Sequence, residues 1–252
     1  MARHAGKFGA YAVGEPSRLL VPNRQAGSQR RRVFGGLSGA ELVRSRIALE
    51  VRLGDLEPGD RLIDAGVISQ ALGVSEITVR RALETMGQDG LLERRRGRAG
   101  GTFVAQRWDA VAAAMRDDQQ AAQLVDFQRV LESGLAALAC GELDREDLVA
   151  LGEHVQLTEA ELDPDSYALA DAHFHLALAT VLGGWPARER QTDLLGKLCL
   201  LLPKPPLGVA RQQNRAHAQL LTGLEVGSIG VAVEAVKLHA RCWPPSDGSQ
   251  SA

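Results

Sequence analysis

Aromatic residues, cysteines and long apolar runs are all scarce in this chain, and each shortage closes off a class of protein. Aromatic side chains make up 4% of its 252 residues, against 45% hydrophobic residues in all. That balance points to helices packed through Leu, Val and Ala rather than to a β-sandwich. The three cysteines, Cys140, Cys199 and Cys242, are widely separated, with no C-x-x-C spacing and no disulfide framework. Such usage suggests a reducing compartment. No uninterrupted apolar stretch approaches the ~20 residues needed to span a bilayer, and the first thirty residues lack the apolar segment of a signal peptide. A cytoplasmic protein with no membrane contact is expected. No internal repeat at a fixed period is evident.

Net charge is also small, −2, but it is unevenly spread. Residues 1–105 carry 17 Lys+Arg against 11 Asp+Glu, and residues 106–252 carry 12 against 20. A basic amino-terminal half joined to an acidic carboxy-terminal half suits a nucleic-acid reader attached to something else.

The segment from Ile68 to Val104 says what that reader is. Ile68 and Leu72 give a short apolar helix ending at Gly73, the turn between two crossed helices. Ser75 is placed to cap the next helix by accepting from its first-turn N–H groups. Val79, Ala82, Leu83 and Met86 recur at helical spacing and face a core, which leaves Ile77, Thr78, Arg80, Arg81 and Glu84 outside. Ser75, Thr78, Arg80 and Arg81 are the expected contacts at a major groove. Gly90 stops the helix. Leu91-Leu92 and Thr102-Phe103-Val104 read as two wing strands, with Arg94, Arg95, Arg96 and Arg98 between them among glycines, suited to phosphate or minor-groove contact. A plain helical hairpin with a solvated charge run would not bring cap, turn, periodicity and wing together in this order.

Four domains are expected: a flexible basic arm over 1–36, a winged helix-turn-helix over 37–106, an all-helical effector and dimerisation domain over 107–243, and a disordered tail over 244–252. The arm is either a DNA-touching extension or an uninvolved leader. The first helix covers 38–53, with Leu42, Ile47, Ala48 and Val51 on one stripe. Amphipathic stretches then run near 120–140, 145–160, 164–182, 187–202, 208–225 and 228–242. Pro203, Pro205 and Pro206 interrupt them, and Ser228 is placed to cap the last. The fold class is mostly α: an amino-terminal winged helix followed by a helical bundle.

The bundle holds a second constellation. Asp171 and His175 are four apart, on one face of a helix. His217 and His239 fall on the two following helices. Three helices can therefore converge one carboxylate and three imidazoles on a divalent ion, with Zn²⁺ the first choice and Mn²⁺, Ni²⁺ or Fe²⁺ also compatible. The bland alternative makes each histidine a hydrogen-bonded bundle residue. His173, two positions from Asp171, points elsewhere, and His154 and His4 have no partners at telling spacing.

These residues carry a family resemblance. Pro58-Gly-Asp-Arg-Leu62, Leu72-Gly-Val-Ser75, Thr78-Val-Arg80, Ala82-Leu83 and Asp89-Gly-Leu-Leu92 resemble the GntR family of bacterial transcription regulators. The second half is similar to the helical FCD effector domain of its FadR-type branch, whose metal set matches Asp171, His175, His217 and His239. The resemblance implies a homodimer that reads a short palindromic double-stranded DNA operator, and a small organic acid effector held near the metal. It also places an arginine at Arg129, where a guanidinium offers a carboxylate a two-pronged match; a salt bridge to Asp126 or Glu132 is the competing role. Two departures stand out. Glu76 and Ala65-Gly66 occupy positions where the family commonly carries DNA-contacting arginines. The expectation is a ligand-responsive transcription regulator, acting as a repressor. A direct metal sensor is the alternative, and a metal-dependent hydrolase with a DNA-binding head is the more distant one. The hydrolase lacks a general base beside its ligands, so no enzyme activity is expected.

Overall fold

The computed structural model describes residues 38–242 except 99, 162 and 203. The expected basic arm (1–36) and tail (244–252) lie outside the described residues.

The amino-terminal head begins with α1 (Gly39–Arg52), whose capping box pairs the Ser38 hydroxyl with the Glu41 amide and the Glu41 carboxylate with the Ser38 amide. The structure buries more of α1 than the expected stripe: Leu42, Val43, Ile47, Ala48 and Leu49 are inside, while Val51 is half-buried. α2 (Ala65–Leu72) ends on Gly73 at φ 63°, a left-handed cap that costs only glycine nothing. α3 (Glu76–Gln88) starts at Ser75, whose hydroxyl accepts from the Thr78 amide at 3.1 Å. Val79, Ala82 and Met86 are buried as the periodicity requires, and Leu83 only partly.

The wing differs from expectation in length. β1 (Leu92–Arg95) pairs antiparallel with β2 (Gly101–Val104), so that Arg95 stands opposite Gly101. Arg94 and Arg95 therefore belong to a strand, and only Arg96 and Arg98 occupy the turn. Arg61 adds an isolated bridge to Phe103, anchoring the wing to the loop after α1.

A short helix, α4 (Trp108–Ala114), joins the two halves through Trp108, buried in the head's core. The bundle follows as α5 (Asp118–Ala139), α6 (Arg145–Ala160), α7 (Pro164–Leu201), α8 (Leu207–Glu225) and α9 (Ile229–Arg241). Side-chain caps Asp117, Asp144, Asp163 and Ser228 start four of them, each satisfying amides that have no partner within the helix.

α7 is interrupted at Gly184, at φ 64° and ψ −159°, far from helical values. Its two arms fold against each other: the Arg188 guanidinium donates to the Leu176 carbonyl at 3.4 Å and the Thr180 hydroxyl at 3.2 Å. The two separate stretches expected at 164–182 and 187–202 correspond to these arms. The head packs directly on both. Leu49 and Leu53 of α1 meet Ala172 and Leu176 of the first arm and Leu195 of the second. Arg46, 5% exposed, pairs with Glu189 at 3.3 Å and Asp193 at 3.0 Å. Among the described residues no helix is long and apolar enough to cross a membrane.

Candidate functional site

On the head, Arg80, Arg81, Arg94, Arg96 and Arg98 are exposed, as a DNA-facing surface requires. Two of the expected contacts are engaged within the chain. Arg80 pairs with Glu76 one turn earlier, its Nε 3.0 Å from Glu76 Oε1. Arg95 lies over the Phe103 ring, 4.1 Å from its centroid, and reaches Glu93 at 3.4 Å. That guanidinium braces the wing through a cation–π contact. Thr78 is half-buried with its hydroxyl 2.7 Å from that of Ser75, so both serve the cap first.

In the bundle, Asp171, His175, His217 and His239 converge from α7, α8 and α9. One ligand atom of each lies within 4.8 Å of all the others. Asp171 Oδ1 is 3.7 Å from His217 Nε2 and 3.6 Å from His239 Nε2, and Asp171 Oδ2 is 3.7 Å from His175 Nε2. These separations are too long for hydrogen bonds. Asp171 Oδ1, both His217 ring nitrogens and His239 Nε2 are buried with no hydrogen-bond partner. Buried polar atoms are rarely left so, and three of the four, Asp171 Oδ1, His217 Nε2 and His239 Nε2, lie across one gap where a ligand would satisfy them.

The electrostatics agree with a set of donors. Burial works against the carboxylate of Asp171, yet the rings of His175, His239 and His217 outweigh it and hold the group well below the usual range. His217 is pushed far down by burial and by His239, which leaves it neutral, the form that ligates. For His175, burial is outweighed by the Glu132 and Asp171 carboxylates, which raise it to about 9. Phe174 stacks on His217 at 3.9 Å between ring centroids, and His217 on His239 at 4.6 Å, fixing both planes.

Glu132 is the residue that the sequence reading passed over in this role. It is 3% exposed on α5, and its Oε1 lies 2.6 Å from His175 Nδ1, 3.1 Å from Gln128 Nε2 and 3.0 Å from Gln191 Nε2. Holding Nδ1 as the donor turns Nε2 toward the cluster, where a bound ion would take the place of its proton. A signal was present: Gln128 and Glu132 are polar positions on the stripe that otherwise buries Ala121, Val125, Ala136 and Ala139. His173 and His154 are half-buried outside the cluster.

Arg129 pairs with Asp126 at 2.9 Å and is partly exposed; its expected alternative partner Glu132 is turned inward to His175 instead. It lines a small, partly open cavity of about 10 Å³ with Val125, Gln128, Glu132, Val236 and His239. That is room for about one water molecule, and the cavity reaches the cluster through His239.

Comparison with known proteins agrees with this layout. The model for bacterial regulatory proteins of the gntR family matches residues 40–104, and the model for the FCD domain matches residues 123–241. The chain is 31% identical over 158 residues to RmpR of Mycobacterium gastri, covering 60% of this chain and 58% of that protein. It is 35% identical over 130 residues to the Uxu operon transcriptional regulator of Escherichia coli K12, covering 48% and 50%. It is 29% identical over 136 residues to LutR, an HTH-type transcriptional regulator of Bacillus subtilis, covering 51% and 61%. The chain thus spans between 50% and 61% of these relatives' length. Among solved structures, E. coli McbR/YncC is 21% identical over 81% of this chain and 94% of that one, at a TM-score of 0.49. That likeness is too low to add to the family matches.

Proposed function

We propose that this chain, which belongs to the gntR family of bacterial regulatory proteins and carries an FCD domain, is a ligand-responsive DNA-binding transcription regulator. The observation that carries the proposal is the joining of two sites. A capped recognition helix with an arginine-bearing wing is packed, through α1, against the helix that supplies Asp171 and His175. The gntR match is to bacterial regulatory proteins, and no enzyme activity is proposed.

In this reading Arg80, Arg81, Arg96 and Arg98, helped by Arg94, engage double-stranded DNA, while Ser75, Thr78 and Arg95 hold the helix and wing in shape. Asp171, His175, His217 and His239 hold a divalent ion, zinc before manganese, nickel or iron. The unpartnered buried donor atoms and the Glu132 carboxylate behind His175 support that assignment. A bound ion would offer remaining coordination positions to the carboxylate of a small organic acid. Arg129, at the mouth of the adjoining cavity, would exchange Asp126 for that carboxylate. Effector binding would shift the head between two placements on α7, and by linkage an effector that weakens DNA binding must bind the DNA-bound form less well. Repression is the proposed mode.

The reading includes a homodimer. The outward side of α5 carries Phe127, Val130 and Leu138, all exposed, around Gly134, where an added Cβ would meet nothing. An apolar stripe opposite a buried one supports a second copy there.

The experiment is a titration of the full chain onto labelled duplex taken from upstream of its own gene, with metal content measured on the same sample. About one ion per chain and binding that survives chelation would support an organic-acid effector. Binding that collapses on chelation would favour the direct metal sensor. Metal-free protein with no specific binding would remove the proposal.

A further inference from the structure

The recognition helix opens with a carboxylate, which is an unusual charge to bring to DNA. Glu76 is the first residue of α3, and its side chain keeps 46% of its surface open to solvent. Duplex DNA carries a negative charge about every 1.7 Å along its axis, so a bare carboxylate there is repelled. Here it is not bare. Glu76 Oε1 accepts from Arg80 Nε at 3.0 Å and also from Nη2. No hydrogen bond among the described residues engages Glu76 Oε2 or Arg80 Nη1. The pair therefore presents one acceptor beside guanidinium donors, on a neutral unit held by the i, i+4 geometry of the helix.

Next to the pair stands Ile77, 75% exposed and without a polar atom. Val79, Ala82 and Met86 face the core from the other side of α3, which leaves the Ile77 side chain directed outward.

We infer that Glu76, Arg80 and Ile77 form a base-reading triplet that selects a G·C pair flanked by thymine in the operator half-site. The inference rests on the DNA-reading role proposed above. In the major groove a G·C pair presents the guanine O6 and N7 acceptors beside the cytosine N4 donor. An arginine meets the first two and a carboxylate accepts from the third. The paired side chains match that edge as one unit. An exposed aliphatic group beside them matches the C5-methyl of thymine, the one apolar feature of the groove floor. First-turn residues of a recognition helix are those that reach base edges. On this account the carboxylate is a specificity group whose repulsion by phosphate is cancelled by Arg80.

The test is selection from a randomised duplex library, using the full chain and its Glu76→Gln, Glu76→Ala and Ile77→Ser variants. Wild type should enrich a half-site with a fixed G·C pair next to T·A, and exchanging that pair should weaken binding by about tenfold or more. Glu76→Gln should move the preference at the cytosine position toward adenine, because an amide can both donate and accept there. Glu76→Ala should flatten it. Replacing the flanking thymine by deoxyuracil should weaken wild type and leave Ile77→Ser unchanged. An enriched site identical in wild type and both Glu76 variants would overturn the inference while leaving the DNA-reading role intact. Enrichment of no sequence by wild type would remove that role, and the inference with it.

Discussion

His175 and Glu132 are locked together inside the bundle, Nδ1 to Oε1 at 2.6 Å, with 1% and 3% of their surfaces exposed. Glu132 also receives Gln191 from the second arm of α7, the arm that grips Arg46 of the head through Glu189 and Asp193. The carboxylate behind an imidazole of the proposed metal site is therefore one step from the contact that positions the head.

Glu132→Gln keeps the size of the side chain but removes the charge that holds His175 Nδ1 as a donor. Metal affinity should fall by about 10- to 100-fold, measured by competition with a chromophoric chelator. An unchanged affinity would mean that His175 needs no orienting partner.

His217→Ala and His239→Ala should each lower the metal content of purified protein, read by elemental analysis. A full complement of metal in both variants would remove the site as drawn.

Removing the ion should lower stability. Free metal at about 1,000 times its dissociation constant stabilises the folded chain by roughly 4 kcal/mol. Chelation should reverse this as a fall in Tm of several degrees in wild type, with no fall in His217→Ala. Equal melting in both conditions would show that nothing binds among those side chains.

Arg46→Ala strands two carboxylates at the junction of head and bundle. A buried pair broken on one side costs about 3–5 kcal/mol. Glu189 is 36% exposed and can turn to water, so about 2 kcal/mol is expected here. Urea unfolding would check this, and a change within 0.5 kcal/mol would mean that the apolar contacts of Leu49 and Leu53 hold the junction alone.

Arg96→Ala combined with Arg98→Ala should weaken binding to every duplex alike and reduce the slope of log K against log salt by about 2. Arg80→Ala should weaken the specific site most, leaving fold and metal content intact. An unchanged operator affinity would count against Arg80 as a reader.

The parts legible in the sequence were those set by local chemistry. Ser75, Gly73 and Gly90 announce the ends of α2 and α3 because caps and positive φ are properties of single residues. Asp171 and His175 were legible as a pair because a four-residue spacing on a helix predicts a shared face, while His217 and His239, on two further helices, joined them through the resemblance to the FCD set. The roles that depend on distant contacts were not. Glu132 looks like a surface residue until His175 and Gln191 close over it from two arms of α7. Arg46 looks solvated until Glu189 and Asp193 arrive, 143 and 147 positions away. Arg95 reads as a tip arginine because the extent of β1 is fixed by its pairing with β2, not by its own composition.

Native mass spectrometry of the full chain with zinc and the selected duplex tests the central claim most directly. The account predicts one complex containing two chains, two metal ions and one duplex. Metal-free single chains that leave the duplex unbound would contradict it.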